Sequence, residues 1–156
     1  MSPFLDQPRS FADVALGDSW RSPARTITEA DVVHFAGLTG DFNPLHVDHK
    51  FARSTPFGRP IAHGLLGLSL AAGLSSNSPA MCTAAFVRIV EWKFLQPLFI
   101  GDTVHVETQV VDKQSRGRRH GLITWRRQLI NCENAVVVQQ GLWETLVKSD
   151  HAENDG

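Results

Sequence analysis

An α+β architecture, one long apolar helix packed against a largely antiparallel sheet, is predicted by three features of the chain. The stretch Gly64 to Ser75, GLLGLSLAAGLS, is apolar on nearly every side, and a helix without a polar face belongs inside the protein. From Thr83 onward the period changes. Phe86 to Leu95, Thr103 to Val111, Leu122 to Ile130 and Ala135 to Val147 are rich in Val, Ile, Phe, Trp and Thr, and Val104, Val106, Thr108 and Val110 alternate with His105, Glu107 and Gln109; these read as four strands. Turn signals at Gly101-Asp102, around Gly117 within 115–119, and at Glu133-Asn134 predict antiparallel pairing between neighbours. Helices then strands in one short chain give the α+β layer pattern.

In chain order, residues 1–17 are irregular, punctuated by Pro3 and Pro8, with Gly17-Asp18 as a turn. Ser19 to Thr26 is an extended segment, which Pro23 confines to a sheet edge because it cannot donate to a ladder. Thr28 caps a first helix with Glu29 and Asp31 in its first turn; Val32, Phe35, Ala36 and Thr39 mark one buried face, and Gly40 stops it. Asn43 precedes Pro44 and is pushed toward extended backbone, so Asp41 to His46 is predicted to be a stiff, non-helical loop. Asp48 to Ala62 is mixed, with a helical turn near Lys50 to Ser54 and a loop through Pro56, Gly58 and Pro60. Gly67 and Gly73 each cost up to about 1 kcal/mol of helix propensity relative to alanine, and close approach of the sheet to these small residues would compensate. The tail SDHAENDG is polar and expected to fray.

Composition excludes several function classes. The chain has 156 residues, 42% hydrophobic and 20% charged, with 15 Lys plus Arg against 16 Asp plus Glu. That is the profile of one globular domain, with no net field to recruit nucleic acid or a membrane surface. Cys82 and Cys132 fall in no metal or redox spacing. No apolar run approaches the roughly 18 residues of a membrane span, and the N-terminus lacks the pattern of a signal peptide. A soluble, cytoplasmic protein is expected, folded as one domain over 1–156 with its core at about 15–148.

The chemistry gathers between Phe35 and Gly64. Asp41 lies five residues before His46 in the string G-D-x-N-P-L-H-x-D. Alone, an Asp after a helix-ending Gly is a turn residue; paired with an imidazole across the stiff Asn43-Pro44 unit it is also a candidate acid/base pair, since such groups act only at reproducible hydrogen-bond distance. His46, Asp48 and His49 match no common zinc pattern, so no metal and no cofactor is expected. His63-Gly64 sits at the mouth of the apolar helix, where unpaired backbone N–H groups suit a developing oxyanion. His63 can simply satisfy the turn, whereas Gly64, without a side chain, lets a ligand carbonyl approach the backbone.

The strings FAGLTGDFNPLHVD over 35–48 and RPIAHG over 59–64, with Gly101-Asp102 following Pro97-Leu98-Phe99-Ile100, resemble the signature of the MaoC-like (R)-specific enoyl-CoA hydratases and dehydratases. The resemblance implies a hot dog fold, an antiparallel sheet wrapped around the long central helix. It implies that Asp41 and His46 add or remove water across C2–C3 of an acyl-CoA thioester, that the Gly64 amide binds the thioester oxygen, and that Asn43 supports the loop. It further implies a homodimer or dimer of dimers joined edge to edge, with the acyl chain entering near the subunit boundary. Short-chain bacterial members often carry a serine eight residues past the glycine of the HG pair; here that residue is Ala72.

On this reading Asp41 takes a proton from the water attacking C3, His46 supplies or relays a proton to C2, and the Gly64 N–H holds the enolate-like oxygen. Two other functions remain open on the same fold: an acyl-CoA thioesterase, and a non-catalytic acyl-CoA-binding or regulatory protein.

Overall fold

In a computed structural model, which describes residues 7–150, short helices and two short strands precede the long helix and four long strands follow it. The expectations for Pro3 and for most of the polar tail lie outside the described residues. The predicted extended segment forms two pieces, β1 (Ser19–Arg21) and β2 (Arg25–Thr26), both pairing antiparallel with β4 (Thr103–Arg116). Phe11–Asp13 makes one 3-10 turn within the otherwise irregular N-terminal region.

Helix α1 (Glu29–Thr39) begins and ends where its caps dictate. The Thr28 hydroxyl accepts from the Asp31 N–H, and the Asp31 carboxylate accepts from the Thr28 N–H, so two otherwise orphaned donors are satisfied reciprocally. At the other end Gly40 adopts φ 79°, and its N–H bonds the Ala36 carbonyl, a left-handed stop that suits glycine.

The next segment departs from expectation. Pro44–Val47 is a short helix, α2, followed by α3 (His49–Arg53). Proline breaks a helix from its interior, but at the first helical position its missing N–H costs nothing and its fixed φ is already helical. Asn43 completes the start by accepting from the Leu45 N–H at 3.0 Å.

The central helix, α4 (Gly64–Ser75), packs Leu66, Leu70 and Ala71 onto the sheet, meeting Val104, Val106, Leu129, Val138 and Trp143. It is not enclosed on every side: Leu65 is 58% exposed, and Ala72 and Gly73 are also exposed. Gly67 and Gly73 part company. A methyl on Gly67 would overlap the amide nitrogen of buried Gln139 and stand 2.8 Å from its Cδ, whereas nothing lies within 4 Å of one on Gly73. Close approach therefore accounts for Gly67 alone.

The sheet is antiparallel in the order β1-β4-β5-β6-β3, with β3 Thr83–Phe94, β5 His120–Asn131 and β6 Val137–Lys148. β4-β5 and β5-β6 are the predicted hairpins. The Gly101-Asp102 turn does not join paired strands: β3 pairs with β6, and the chain crosses over before β4. The crossover is held by the segment preceding α4, since the Ala62 N–H bonds the Leu98 carbonyl at 2.7 Å, Ile61 bridges Phe99, and Leu98 is buried. Those contacts keep β3 from folding back on β4. β3 is thus an edge strand, and Phe86, Val87, Ile89, Val90 and Phe94 on it are all exposed. No helix among the described residues is long and apolar enough to cross a membrane.

Candidate active site

Three elements meet at the site: the C-terminal end of α1, the short α2, and the N-terminus of α4. Asp41 follows the Gly40 stop, and its Oδ1 accepts from the Asn43 N–H at 3.2 Å. Asn43 in turn caps α2. One turn of helix therefore carries His46 back toward Asp41, leaving His46 Nε2 4.0 Å from Asp41 Oδ2. The carboxylate is open to solvent and the imidazole is nearly covered, with side-chain exposures of 53% and 12%.

The His46 ring is oriented by its other nitrogen. Nδ1 lies 2.7 Å from the Ile61 carbonyl, and a carbonyl only accepts, so Nδ1 carries the proton and Nε2 of the neutral ring presents a lone pair toward Asp41. Ile61 is itself placed by its N–H bond to the Leu45 carbonyl.

His63 belongs to the same assembly, although sequence alone left it as a turn residue. It is 3% exposed, and its ring stacks on His46 with centroids 3.9 Å apart and meets the Phe35 ring at a tilt, 5.0 Å away. Its Nε2–H donates to the Asp41 backbone carbonyl at 3.0 Å, while Nδ1 is buried without a hydrogen-bond partner. One buried side chain thus holds the Asp41 backbone and the face of His46. The signal available in the sequence was its place beside Gly64; its contact with His46, across the α3 loop, was not readable.

Gly64 opens α4 directly after His63, so the first N–H groups of that helix and the positive end of its dipole face the same neighbourhood. The Gly64 carbonyl accepts from Gln139 Nε2 at 3.0 Å, which anchors the helix start to β6. A Cβ at Gly64 would come within 3.0 Å of the Phe94 ring, so the glycine keeps this approach narrow and open.

The ligand atoms of Asp41, His46 and His63 lie within 4.8 Å of one another. His46 Nδ1 and His63 Nε2 are engaged with backbone carbonyls, so the atoms left for a proton, a water or a cation are His46 Nε2, His63 Nδ1 and the Asp41 carboxylate. His49 and Asp48 are occupied elsewhere, His49 Nε2 with Glu29 at 2.5 Å and Asp48 with the Phe51 N–H. The arrangement suits proton transfer beside an anion-binding helix end.

Comparison with known proteins agrees with the motif. Residues 12–128 match the model of the MaoC like domain. Protein MaoC of Klebsiella aerogenes is 35% identical over 109 residues, 70% of this chain and 32% of that one. The (R)-specific enoyl-CoA hydratase of Aeromonas caviae is 43% identical over 82 residues, 52% of this chain and 60% of its own length. The chain thus spans between a third and three-fifths of the length of these two relatives. Among solved structures, a monoamine oxidase regulatory protein from Archaeoglobus fulgidus superposes with TM-score 0.83 at 36% identity, covering 90% of this chain and 95% of that one. The (R)-hydratase of A. caviae superposes with TM-score 0.73 at 29% identity, covering 85% and 96%. The match to the domain model over three quarters of the sequence, and the sheet folded around α4, show that this chain is a hot dog protein of the MaoC-like dehydratase family.

Proposed function

We propose that the protein hydrates trans-2-enoyl-CoA to (R)-3-hydroxyacyl-CoA, or catalyses the reverse dehydration. The observation that carries this reading is the 4.0 Å gap between Asp41 Oδ2 and His46 Nε2. Both atoms are acceptors, and one water placed about 2.8 Å from each can donate a hydrogen to both, leaving its lone pair directed at C3. The water oxygen bonds C3 as its proton passes to His46 Nε2, with ionised Asp41 orienting the water and balancing the imidazolium. Electron density moves through C2 to the thioester oxygen, where the N–H groups at the start of α4, Gly64 first, hold the developing charge. His46 then returns the proton to C2, so that one H and one OH are added and no other reactant is consumed. This departs from the expected division of labour, in which Asp41 takes the proton of the water: with Nδ1 bonded to the Ile61 carbonyl, His46 accepts before it donates and Asp41 orients.

General acid/base catalysis accounts for about 10² to 10⁴ in rate, and an oxyanion donor for about 2.7 to 4 kcal/mol. Asp41→Asn and His46→Ala should each lower kcat for crotonyl-CoA hydration at least about 100-fold, followed as loss of enoyl absorbance. Near wild-type turnover by both folded variants would overturn the assignment. Release of free thiol without loss of enoyl absorbance would favour thioester hydrolysis, and tight acyl-CoA binding without turnover would favour a regulatory role. The exposed apolar edge of β3 supports a homodimer in which a second copy continues the sheet. Its mass in solution, measured by light scattering, tests that.

A further inference from the structure

A cavity of about 510 Å³ opens between α4 and the inner face of the sheet, walled by Leu68 and Ala72 of α4 and Phe86 and Ile89 of β3, with Trp143 and Arg127 on its floor. Gly64, Leu68 and Ala72 recur on one face of α4 at i, i+4 and i+8; Gly64 lines a second cavity of about 340 Å³ with Ile61 and Phe94, and an acyl chain held there would run along this helix face into the larger one.

Its floor contains an anomaly. On β5 the inward positions run Ile123, Trp125, Arg127, Leu129; the other three are at most 1% exposed, and an arginine stands in their row. Arg127 Nε is buried without a hydrogen-bond partner, and so are two polar atoms beside it, Trp143 Nε1 and Oγ1 of Thr108, the residue directly across the ladder. The guanidinium lies 4.4 Å from the Trp143 ring centroid, a cation–π contact that offsets part of its desolvation. Burial draws its pKa down to about 10, with no neighbouring charge acting on it, so it remains a cation at neutral pH. A cation without an anionic partner on an inner sheet face is costly to a fold and useful to an anionic ligand.

We propose that the Arg127 guanidinium receives a carboxylate at the far end of the acyl chain, so that the preferred substrates are CoA thioesters of short dicarboxylic acids. The length follows from the register. Gln139, which bonds the Gly64 carbonyl, lies opposite Leu129, and Arg127 is two residues further along β5, about 7 Å. The tail must cover that span, as a five- or six-carbon diacid does. A bidentate, charge-assisted pair with arginine is among the stronger polar contacts available, and the apolar walls accept the methylenes between.

The proposal rests on the acyl-CoA reading, and binding separates the two. Saturated acyl-CoAs cannot be hydrated, so titration calorimetry with glutaryl-CoA and adipyl-CoA against hexanoyl-CoA reads the pocket without turnover. Wild type should bind one of the diacid thioesters at least about 10-fold more tightly than hexanoyl-CoA. Arg127→Met should abolish that preference, and Arg127→Lys should keep part of it. Equal affinities in wild type, a preference surviving in Arg127→Met, or equal weakening of all ligands including free CoA would overturn it. The wild-type comparison decides even if a variant fails to fold. A diacid preference without hydration of any enoyl-CoA would keep the carboxylate site and overturn the hydratase.

Discussion

Gly67→Ala is expected to destabilise the protein although alanine is the better helix former. The exchange gains up to about 1 kcal/mol of helix propensity. The new methyl, however, occupies the space of the Gln139 amide, which is 2% exposed and has no room to retreat. Gln139 donates to the Gly64 carbonyl at 3.0 Å and accepts from Trp92 Nε1 at 2.9 Å. Displacing it strands both partners, at about 1–3 kcal/mol each, for a net loss of about 1–5 kcal/mol. In a domain of this length that lowers Tm by at least about 2–4 °C. Gly73→Ala, with open space around it, should instead raise stability by up to about 1 kcal/mol. Thermal and urea unfolding of both variants measure the contrast. A cycle with Gln139→Ala sharpens it: once the amide is removed, Gly67→Ala should cost little, so the two effects do not add. A Gly67→Ala protein as stable as wild type, or strict additivity in the cycle, would refute this account of the helix–sheet contact.

Three further outcomes are expected. His63→Ala should lower kcat about 10- to 100-fold with little change in KM, because Asp41 and His46 lose their common support, while His63→Gln, which can still donate to the Asp41 carbonyl, should recover part of the loss; unchanged kcat in His63→Ala would show the histidine to be a turn residue only. Burial alone would raise the Asp31 carboxyl, but its bonds with Thr28 and its pairing with Arg25 outweigh that and hold it below its ordinary 3.8. A depressed carboxyl stabilises the fold above its unfolded value and stops doing so as pH falls through the folded one, so the Tm gap between wild type and Asp31→Asn should be widest well above 3.8 and close as pH falls below it; a gap that widens in acid would contradict this. Finally, a Cβ at Gly141 would strike the backbone carbonyl of Glu91 and stand 2.8 Å from the Trp92 ring, so Gly141→Ala should cost about 1–3 kcal/mol and lower hydrogen-exchange protection in β3 and β6 more than in the β4-β5 hairpin.

What could be read from the sequence was local. Thr28, Asp31 and Gly40 specify α1 through bonds within four residues, and the alternation from Val104 to Val110 specifies β4 through its own pleat. Asp41, Asn43, His46 and Gly64 stood out because their spacing is short and their residue types unusual. The misreading at Pro44 came from extending the restriction on Asn43, the residue before the proline, to the residues after it: Asn43 is indeed non-helical at ψ 130°, but proline at the first helical position starts a helix. β3 was placed against the wrong neighbour because turns report on adjacent strands, whereas its pairing with β6 is decided by which surfaces close over α4. His63 and Gln139 were missed for the same reason, since each acts on a residue distant in the chain. Arg127 was visible in principle: a cation at an inward position of an alternating strand breaks the pattern on which the strand was recognised.

The anchor from Gln139 to Gly64 also bears on how the protein is made. Every residue assigned a part in the chemistry lies within 41–64, yet the helix that presents Gly64 is secured by a side chain 75 residues later, and β3 waits for the same strand, with Trp92 and Gln139 47 positions apart. During synthesis Asp41, His46 and the start of α4 emerge long before β6. Until that strand is released, the nascent chain has the reacting groups without their fixed distances and carries an apolar β3 with no neighbour. Catalytic competence should therefore appear in one late step with the docking of β6, and chains arrested before it are the ones a chaperone would need to hold.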